Sequence, residues 1–439
     1  MHLQFLPAVL ISLLFCDGAV RAAGNDPVFD QIGSIVKTLS DITGLPEKHA
    51  VPYGRMSKDQ LRRFLNKRIK KTIKPAEIRA DELSLKMFGL VPPDFDLRES
   101  TVDLLTEQAA AFYDYDAKKL FLLDGASPEE QTTTLAHELA HALADQYFRL
   151  DKFMDDQSTN DDENLARTAV VEGEASWLMI AYDLKQAGRP PAPDAAMLRS
   201  VEQSDASVTS DYPVLKSSPL YIRQSLLFPY SQGTLFFDAV YRKMGKAAFR
   251  YVFTNPPVDT AQVIHPDRYF AHIAAASPDL PATNLTRRKR QITSGDLGEF
   301  DHEVLLEQYL GAAKAKELAP HLRGSDFDIA PAGKRHLPVL EYVSAWDSRS
   351  DAAAFFHDYK QVLRKKWKHC DVAVSTPTTF AGTGDDGLFV THLSGASVWS
   401  VEGLHDTNDW TRLERAAQSL AVSFQVPVRS EFRQSIGLH

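Results

Sequence analysis

The chain has 439 residues, of which 44% are hydrophobic and 24% are charged, a composition typical of folded globular proteins with two or three domains. A formal net charge of −9 and a pI near 5.9 provide no general attraction for nucleic acid, although a local basic patch is compatible with them. Composition therefore disfavours intrinsic disorder and nucleic-acid binding.

The first residues have the pattern of an export signal. An apolar run extends from Phe5 to Phe15, which is too short to span a bilayer, and small residues follow it as far as Ala22 and Ala23. We predict a signal peptide at residues 1–23, cleaved near Ala22 or Ala23, and hence a periplasmic or secreted protein. An uncleaved N-terminal anchor is the alternative.

Cysteine content limits how the mature chain can be stabilised. Cys16 follows the bulky Phe15, whereas a lipoprotein signal usually has a small residue at that point. Signal cleavage would leave Cys370 alone, so the mature chain could form no internal disulfide. No later segment reaches eighteen uninterrupted apolar residues, and we expect no membrane span after signal removal.

Residues 24–84 are predicted to form a mainly helical N-terminal segment, because apolar residues recur at three- and four-residue spacing. One predicted helix carries a run of basic residues, which we interpret as a solvated face rather than a binding site. The segment could also be a propeptide that masks a cleft. The predicted helices cover 27–39, 58–71 and 75–88, and the basic residues are Arg62, Arg63, Lys67, Arg68, Lys70 and Lys71.

A β-hairpin is predicted just before the central helix. Two aromatic and aliphatic runs, at 111–114 and 119–123, flank four turn residues. Ser127 and Pro128 then provide an N-cap and a first helical residue, and this helix should continue to about Arg149. Two further helices are predicted, at 163–185 and at 230–246.

The C-terminal third mixes helical and strand-like patterns. Prolines, glycines and basic residues predict a linker or exposed loop at 276–300. We predict that residues 301–439 form a smaller α+β domain of unknown role, with a small sheet within 371–403. The predicted helices cover 300–318, 351–368 and 410–421, and the strand-like runs cover 387–393 and 398–401.

The central helix carries the motif His137-Glu138-Leu139-Ala140-His141. Residues four apart lie on one face of a helix, so His137 and His141 can direct their imidazoles to one zinc ion at bond lengths of ~2.0–2.1 Å. Glu138 lies about 100° further round the helix and can reach a water on the metal. The alternative is two incidental histidines on an amphipathic helix, but the pattern favours a zinc site.

A hydrolytic zinc site needs a third protein ligand and leaves one position open for water. The next predicted helix offers Glu172 and Glu174, and the small residues Gly173 and Ala175 would let two helices approach closely. We select Glu172 as the ligand, with Glu174 as the competitor. A solvated acidic turn is the non-functional alternative, which the apolar residues on both sides disfavour.

The motif at 137–141 and the Glu-Gly-x-Ala segment at 172–175 together resemble the gluzincin metallopeptidases. In that family zinc lies between an HExxH helix and a glutamate of the next long helix. In its aminopeptidases the Glu-Gly-x-Ala segment begins with the metal-ligating glutamate, which implies that Glu172 is the ligand here. The resemblance also implies that the hairpin at 111–123 holds the edge strand along which an extended substrate docks.

Three further residues are candidates for the site. The segment Phe-Pro-Tyr-Ser-Gln-Gly at 228–233 is similar to the Pro-Tyr-x-x-Gly segment of the same aminopeptidases, which implies that the Tyr230 hydroxyl stabilises the oxyanion. A core tyrosine at a helix start is the alternative, and His265 is the second candidate for this role. Asp145 is placed to accept a hydrogen bond from a ligand imidazole or to brace the turn.

Residues 85–275 also resemble uncharacterised exported bacterial proteins with a peptidase-like zinc domain. The likeness rests on Phe-Tyr-Asp at 112–114, on the extension of the motif to Gln146, and on the segment 255–266. It implies a zincin-like catalytic domain whose small sheet packs on the HExxH helix. The predicted fold class is therefore α+β and mainly helical, with a smaller α+β domain after this one.

The resulting hypothesis is zinc-dependent hydrolysis of peptide bonds in a peptide or protein substrate. Zinc lowers the pKa of its bound water, Glu138 takes the proton, and the metal together with Tyr230 holds the oxyanion. The alternatives are an exported zinc-binding interaction or assembly module without peptidase activity, and hydrolysis of a non-peptide amide or ester. Three ligands without a nearby cysteine favour catalysis over a closed structural site.

Overall fold

The structure is a computed structural model that describes residues 28–124, 128–154, 160–201, 212–280, 291–333 and 335–405. The predicted signal peptide at 1–23, the capping residue Ser127 and the predicted helix at 410–421 lie outside these ranges. Within them, no helix is both long and apolar enough to cross a membrane. The described chain is mainly helical and has two sheets, which confirms the predicted α+β fold class.

The described residues divide into two compact units. The first comprises residues 28–78 and 94–274, and the second comprises residues 79–93 and 275–405. The division falls within the helix Pro75–Phe88. Each unit buries its own set of apolar side chains, so each has a hydrophobic core.

The first unit contains a three-stranded sheet with the order β1-β3-β2. Strand β1 (Tyr53–Met56) was not predicted, and it pairs in parallel with β3. Strands β2 (Ala111–Asp114) and β3 (Lys119–Leu123) form the predicted antiparallel hairpin. Phe112 lies opposite Phe121 in this pair, and their rings stack with centroids 5.1 Å apart.

Helices form the rest of the first unit. The predictions at 58–71 and 75–88 agree with the structure to within one residue, whereas the helix predicted at 27–39 begins at Ile32 because Phe29–Gln31 form a 3-10 turn. The helices are α1 (Ile32–Thr43), α2 (Lys58–Thr72), α3 (Pro75–Phe88, shared with the second unit), α4 (Leu97–Gln108), α5 (Pro128–Phe148), α6 (Leu150–Met154), α7 (Asp161–Gln186), α8 (Pro213–Ser217), α9 (Leu220–Met244), α10 (Ala248–Thr254), α11 (Thr260–Ile264) and α12 (Pro266–Phe270).

Three long helices, α5, α7 and α9, form the centre of this unit, and α7 packs against the other two. Helix α7 begins where the Asn160 side chain accepts a hydrogen bond from the Glu163 N–H, and three acidic residues occupy its first turn. Such a cap accepts a hydrogen bond from a first-turn N–H that has no partner within the helix. Acidic side chains in the first turn interact favourably with the positive end of the helix dipole. The start of α7 is thus encoded locally.

The predicted start of helix α9 at residue 230 was wrong, because the helix begins at Leu220. Pro229 lies inside it, although proline lacks the N–H that continues a helical hydrogen-bond pattern. Side chains buried on both sides of this proline, including Ile222 and Phe236, hold the helix in place. Tertiary packing therefore overrides a local helix-breaking signal.

The N-terminal segment braces the central helix α5 from one side. The backbone N–H groups of Lys48 and His49 donate to Gln146 Oε1 at 2.7 and 3.1 Å, and the Tyr147 hydroxyl donates to the Pro46 carbonyl at 2.6 Å. At 100° per residue, Gln146 lies on the face of α5 opposite to its two motif histidines, whereas Tyr147 lies on the side of the helix. Residues 46–49 therefore support the back of the motif helix.

Helix α1 belongs to the core of the first unit. It packs against α5 and α7, and its side chains Ile35, Val36 and Leu39 are at most 1% exposed. A segment with such burial contributes to the stability of the unit to which it is attached. This argues for a structural role for α1, rather than that of a removable mask.

The second unit is built on a seven-stranded sheet with the order β4-β5-β6-β10-β9-β8-β7, in which every pairing is antiparallel. The strands predicted at 387–393 and 398–401 are confirmed as parts of β9 and β10, whereas β5 and β6 were not predicted. The strands are β4 (Thr293–Gly295), β5 (Leu322–Ala332), β6 (Leu337–Trp346), β7 (Cys370–Ser375), β8 (Thr379–Gly384), β9 (Gly387–Ser394) and β10 (Ser397–Leu404).

The second unit also has three helices of its own, namely α13 (Glu299–Leu310), α14 (Ala312–Leu318) and α15 (Arg349–Lys366). The single helix predicted at 300–318 is split at Gly311, whose φ of +94° is incompatible with a continuous helix. Aromatic side chains join the helices to β6. Trp346 stacks on Phe355 of α15 with ring centroids 4.4 Å apart.

A buried carboxylate lies between α15 and the sheet. Glu402 of β10 accepts hydrogen bonds from the Tyr359 hydroxyl at 2.7 Å and the Ser400 hydroxyl at 2.8 Å, and it pairs with Lys366, whose side chain is 3% exposed. Buried charges are tolerated when their bonding capacity is filled in this way. The group anchors α15 on the sheet.

We expect Leu39→Ala to lower the free energy of unfolding by about 2–5 kcal/mol, because it opens a cavity beneath α1. Lys37→Ala on the exposed side of the same helix is the control and should change stability by less than about 0.5 kcal/mol. Urea unfolding measures both. Equal effects of the two substitutions would contradict a core role for α1.

The second unit should lose stability in mild acid because of His302. Its Nδ1 lies 2.9 Å from the Gly298 carbonyl and its Nε2 contacts the Tyr342 hydroxyl, and burial lowers the pKa of His302 to about 4. In the unfolded chain His302 becomes protonated below about pH 6.5, whereas in the folded chain it becomes protonated only below about pH 4. Stability should therefore fall as the pH drops from 6.5 to 4, by up to about 3 kcal/mol.

Urea unfolding between pH 7.5 and pH 4, followed by tryptophan fluorescence, measures this effect. His302→Gln should flatten the pH dependence in that window, whereas the control His357→Gln, at an exposed position of α15, should keep the wild-type slope. An unchanged slope in His302→Gln would show that other groups cause the acid sensitivity.

Candidate metal centre

Helix α5 places the two motif histidines side by side. His137 and His141 are one turn apart, their ring centroids are 4.6 Å apart, and their Nε2 atoms are 3.0 Å apart. Both side chains are fully buried. The helix geometry alone thus directs two imidazole nitrogens to one point, as the sequence predicts.

Helix α7 brings Glu172 to the same point. Its Oε2 lies 3.2 Å from His137 Nε2 and 3.4 Å from His141 Nε2, and the side chain is also fully buried. Among the described residues, these three side chains form the one group of histidines, cysteines or carboxylates arranged to hold a metal ion. The structure therefore brings the three predicted ligands together.

The spacing of these atoms suits zinc. The triangle of two Nε2 atoms and Oε2 has edges of 3.0, 3.2 and 3.4 Å. A tetrahedral ion with bonds of ~2.0–2.1 Å separates neighbouring ligand atoms by about 3.3–3.4 Å. Two imidazoles and one carboxylate are also a known ligand set of hydrolytic zinc sites. The residues present thus fit a zinc ion.

The protonation states also suit a metal. Burial lowers the pKa of His137 to about 4, so its ring is neutral at pH 7 and offers a lone pair. Burial alone would raise the pKa of Glu172, but the adjacent His141 and His137 hold it low, so that the carboxyl is ionised. A neutral imidazole and an ionised carboxylate are the forms in which these side chains bind a metal ion.

Glu174, the competing ligand, lies apart from the group. Residues two apart on a helix point to different sides, so Glu174 cannot share the direction of Glu172. It is 2% exposed, and burial raises its pKa well above the usual range. The carboxyl therefore favours its protonated form, unlike a metal ligand. The geometry selects Glu172.

The other predicted catalytic residues lie on separate helical elements. Glu138 follows His137 on α5 and is fully buried. Tyr230, within α9, lies with its ring nearly parallel to that of His137, at a centroid distance of 6.0 Å. His265 lies at the junction of α11 and α12, where its backbone N–H donates to the Ala261 carbonyl. The ring contact favours Tyr230 over His265 as a residue of the site.

A close helix crossing sets the position of both Glu172 and Tyr230. Helices α7 and α9 meet at Gly173 and Gly233, where a Cβ on Gly173 would lie 2.1 Å from the Gly233 carbonyl carbon. A Cβ on Gly233 would lie 2.3 Å from the Ala169 carbonyl oxygen. No side chain fits at this crossing, as the sequence predicts for Gly173. The sequence analysis identified the partner glycine, Gly233, only as the last residue of the Pro-Tyr-x-x-Gly-like segment and did not predict its role in helix packing.

A buried hydrogen bond strengthens the same interface. The Trp177 indole N–H on α7 donates to Asp238 Oδ1 on α9 at 3.0 Å, and Trp177 is fully buried. The Trp177 ring also lies 5.5 Å from that of Phe237. Aromatic packing and a satisfied indole N–H together fix the register of the two helices.

Asp145 braces the hairpin on α5 and does not bind a ligand imidazole. Its carboxylate accepts from the Tyr113 hydroxyl at 2.9 Å, from Lys118 Nζ at 2.9 Å and from the Leu150 N–H at 2.8 Å. Of the two roles predicted for it, the structure shows the bracing one.

Tyr115, which sequence reasoning missed, lies beside the metal-ligand group, with its ring centroid 6.2 Å from that of His141.

Comparison with known families supports this interpretation. Residues 99–187 match the family Peptidase_M78, the IrrE N-terminal-like domain, over about a fifth of the chain. The match includes the whole of α5 and α7, so it contains the three candidate ligands. Searches of curated proteins and of solved structures found no match. This part of the chain is thus similar to a zinc metallopeptidase-type domain, and the narrower gluzincin likeness stays a prediction.

We expect Gly173→Ala to separate α7 from α9, because the new methyl group would meet backbone atoms that cannot move independently. The free energy of unfolding should fall by about 1–3 kcal/mol or more, and zinc affinity should fall with it because Glu172 is displaced. Thermal unfolding and zinc titration measure the two effects.

Gly33→Ala in helix α1 is the matched control, since a Cβ there has nothing within 4 Å. Replacing a helical glycine in open space should leave stability unchanged or raise it by up to about 1 kcal/mol. If Gly173→Ala behaved like Gly33→Ala, the crossing would not control the position of Glu172.

Proposed function

We propose that this protein is a zinc-dependent peptidase in which His137, His141 and Glu172 hold the metal. The observation that carries this proposal is the fully buried triangle of their ligand atoms, with edges of 3.0–3.4 Å. A zinc ion held by these three ligands would keep one position for water or substrate, as a catalytic zinc site does and a closed structural site does not. The family match over residues 99–187 supports a peptidase-like chemistry.

When bound, zinc supplies a Lewis acid that polarises a carbonyl and makes water nucleophilic near neutral pH. Glu138 is the proposed general base, since it follows His137 on α5 and lies in the same buried environment. It would take a proton from the attacking water and pass it to the leaving amine. Its burial favours this role because a low dielectric strengthens interactions between charges.

Tyr230 is the proposed donor to the oxyanion. The near-parallel arrangement of its ring with that of His137 holds the phenol beside the metal-ligand group. A hydroxyl in such a place donates a hydrogen bond that strengthens as negative charge develops on the attacked carbonyl. The rigid crossing at Gly173 and Gly233 preorganises this donor relative to Glu172.

A zinc-binding module without peptidase activity is the second candidate. The complete burial of Glu138 and of the three ligands favours it, because a substrate must reach the metal to be cleaved. The absence of cysteine among the three grouped ligands and the open fourth position favour the peptidase.

We also propose export to the periplasm or the medium, on the basis of the pattern at residues 1–23.

Substitutions in the group test the assignment. Wild type and Glu138→Gln should each hold about one zinc ion per chain, and Glu138→Gln should lower kcat at least about a hundredfold on a mixed peptide library. His141→Ala and Glu172→Gln should lose the metal. Metal analysis after dialysis and mass spectrometry of the peptides provide the two measurements.

Glu174→Gln is the matched control, because it changes a buried glutamate of the same helix outside the ligand group. It should keep both zinc and activity. Zinc in the wild type without cleavage would support the binding module, whereas loss of zinc in Glu174→Gln but not in Glu172→Gln would refute the ligand assignment.

A further inference from the structure

Helix α2 carries a strongly basic outer face. Its fifteen residues include seven basic side chains and one acidic side chain, in a chain with a net charge of −9. Leu61, Leu65 and Ile69 are buried on its inner face. The opposite face holds a shallow groove of about 480 Å³, lined by Asp59, Arg62, Arg63, Asn66, Lys67 and Lys70.

The cations at the centre of this face are not neutralised within the described chain. Arg62 pairs with Asp103 and Arg68 with Asp114, but no described acidic side chain pairs with Arg63, Lys67 or Lys70. Like charges four residues apart, as in Arg63 and Lys67, destabilise a helix. The helix dipole compensates only at the C-terminal turn. An unneutralised stripe of this kind is suited to an anionic partner.

The basic face lies on the helix that flanks the hairpin. Phe64 packs on Phe112 of β2 with ring centroids 5.4 Å apart, and Arg68 Nη1 lies 2.8 Å from Asp114 Oδ1. The same hairpin is tied to the motif helix α5 through the hydrogen bond from Tyr113 to Asp145. The face therefore belongs to an element held rigidly in the unit that contains the metal-ligand group.

In place of the sequence-based interpretation of this run as a solvated face, we propose that the face formed by Arg63, Lys67 and Lys70 recruits an acidic segment of the protein substrate. The three cations recur at four- and three-residue spacing along one side of α2, which suits an extended chain with several carboxylates. The lining residues include no apolar side chain that could insert into a membrane and no aromatic side chain that could stack on a base. This inference rests on the proposed peptidase function.

The test is the binding of a labelled peptide that contains a run of glutamates, compared with its glutamine counterpart. Fluorescence anisotropy with the full chain should show at least about tenfold tighter binding of the glutamate peptide, weakened by added salt. The triple variant Arg63→Ala, Lys67→Ala, Lys70→Ala should lose this preference. Its melting temperature should not fall, because the three side chains are exposed and their removal relieves repulsion along the helix.

The matched control is Lys37→Ala, Arg199→Ala, Lys216→Ala, which removes the same charge from exposed positions elsewhere in the unit and should keep the preference. Equal binding of both peptides by the wild type would overturn the proposal. Equal loss in both triple variants, or a preference for phosphatidylglycerol vesicles over the glutamate peptide, would do so too.

Kinetics separate this proposal from the peptidase assignment. On a cleavable substrate with an acidic flank, the Arg63, Lys67, Lys70 variant should raise KM and leave kcat unchanged. Cleavage that is insensitive to the flank would overturn the recruitment role alone. Glutamate-specific binding without any cleavage would leave the basic site in place and refute the peptidase function on which recruitment depends.

Discussion

The crossing of α7 and α9 at Gly173 and Gly233 is the constraint on which the metal-ligand group depends. Backbone atoms meet there without intervening side chains, so the separation of the two helices is set by van der Waals contact. Glu172 lies next to the crossing on one helix, and Tyr230 lies three residues before it on the other. Their positions beside His137 are therefore consequences of one close packing contact. The Trp177–Asp238 hydrogen bond holds the same helices in register.

Burial gives the group its chemistry. His137, His141, Glu138 and Glu172 are fully shielded from solvent. In that environment the His137 imidazole is held neutral and electrostatic interactions are strong, which are the conditions that favour a divalent cation among three donors. The supports of α5 lie elsewhere. Asp145 ties it to the hairpin, and the backbone N–H groups of Lys48 and His49 donate to Gln146 on the face opposite to the two histidines.

The second unit is stabilised by different means. Its antiparallel sheet buries one polar network around Glu402 and another pair, His302 and Tyr342, between the sheet and its helices. Such groups stabilise a fold only when each partner is present, which makes them sensitive to substitution and to acid. The first unit relies instead on helix packing around the metal-ligand group, so the two units should respond differently to pH and to loss of metal.

Local patterns determined much of this protein. The hairpin, the helix of the HExxH motif, and the choice of His137, His141 and Glu172 follow from periodicity, turn chemistry and a family likeness. Tertiary structure decided the rest, because the deciding contacts join residues far apart in sequence. Helix α9 continues through Pro229 because its flanks are buried, and Gly233 matters only because Gly173 meets it. Strand β1 forms only because β3 offers a free edge. Residues 79–93 likewise belong to the second unit because of packing with residues far away in sequence, which local sequence patterns do not predict.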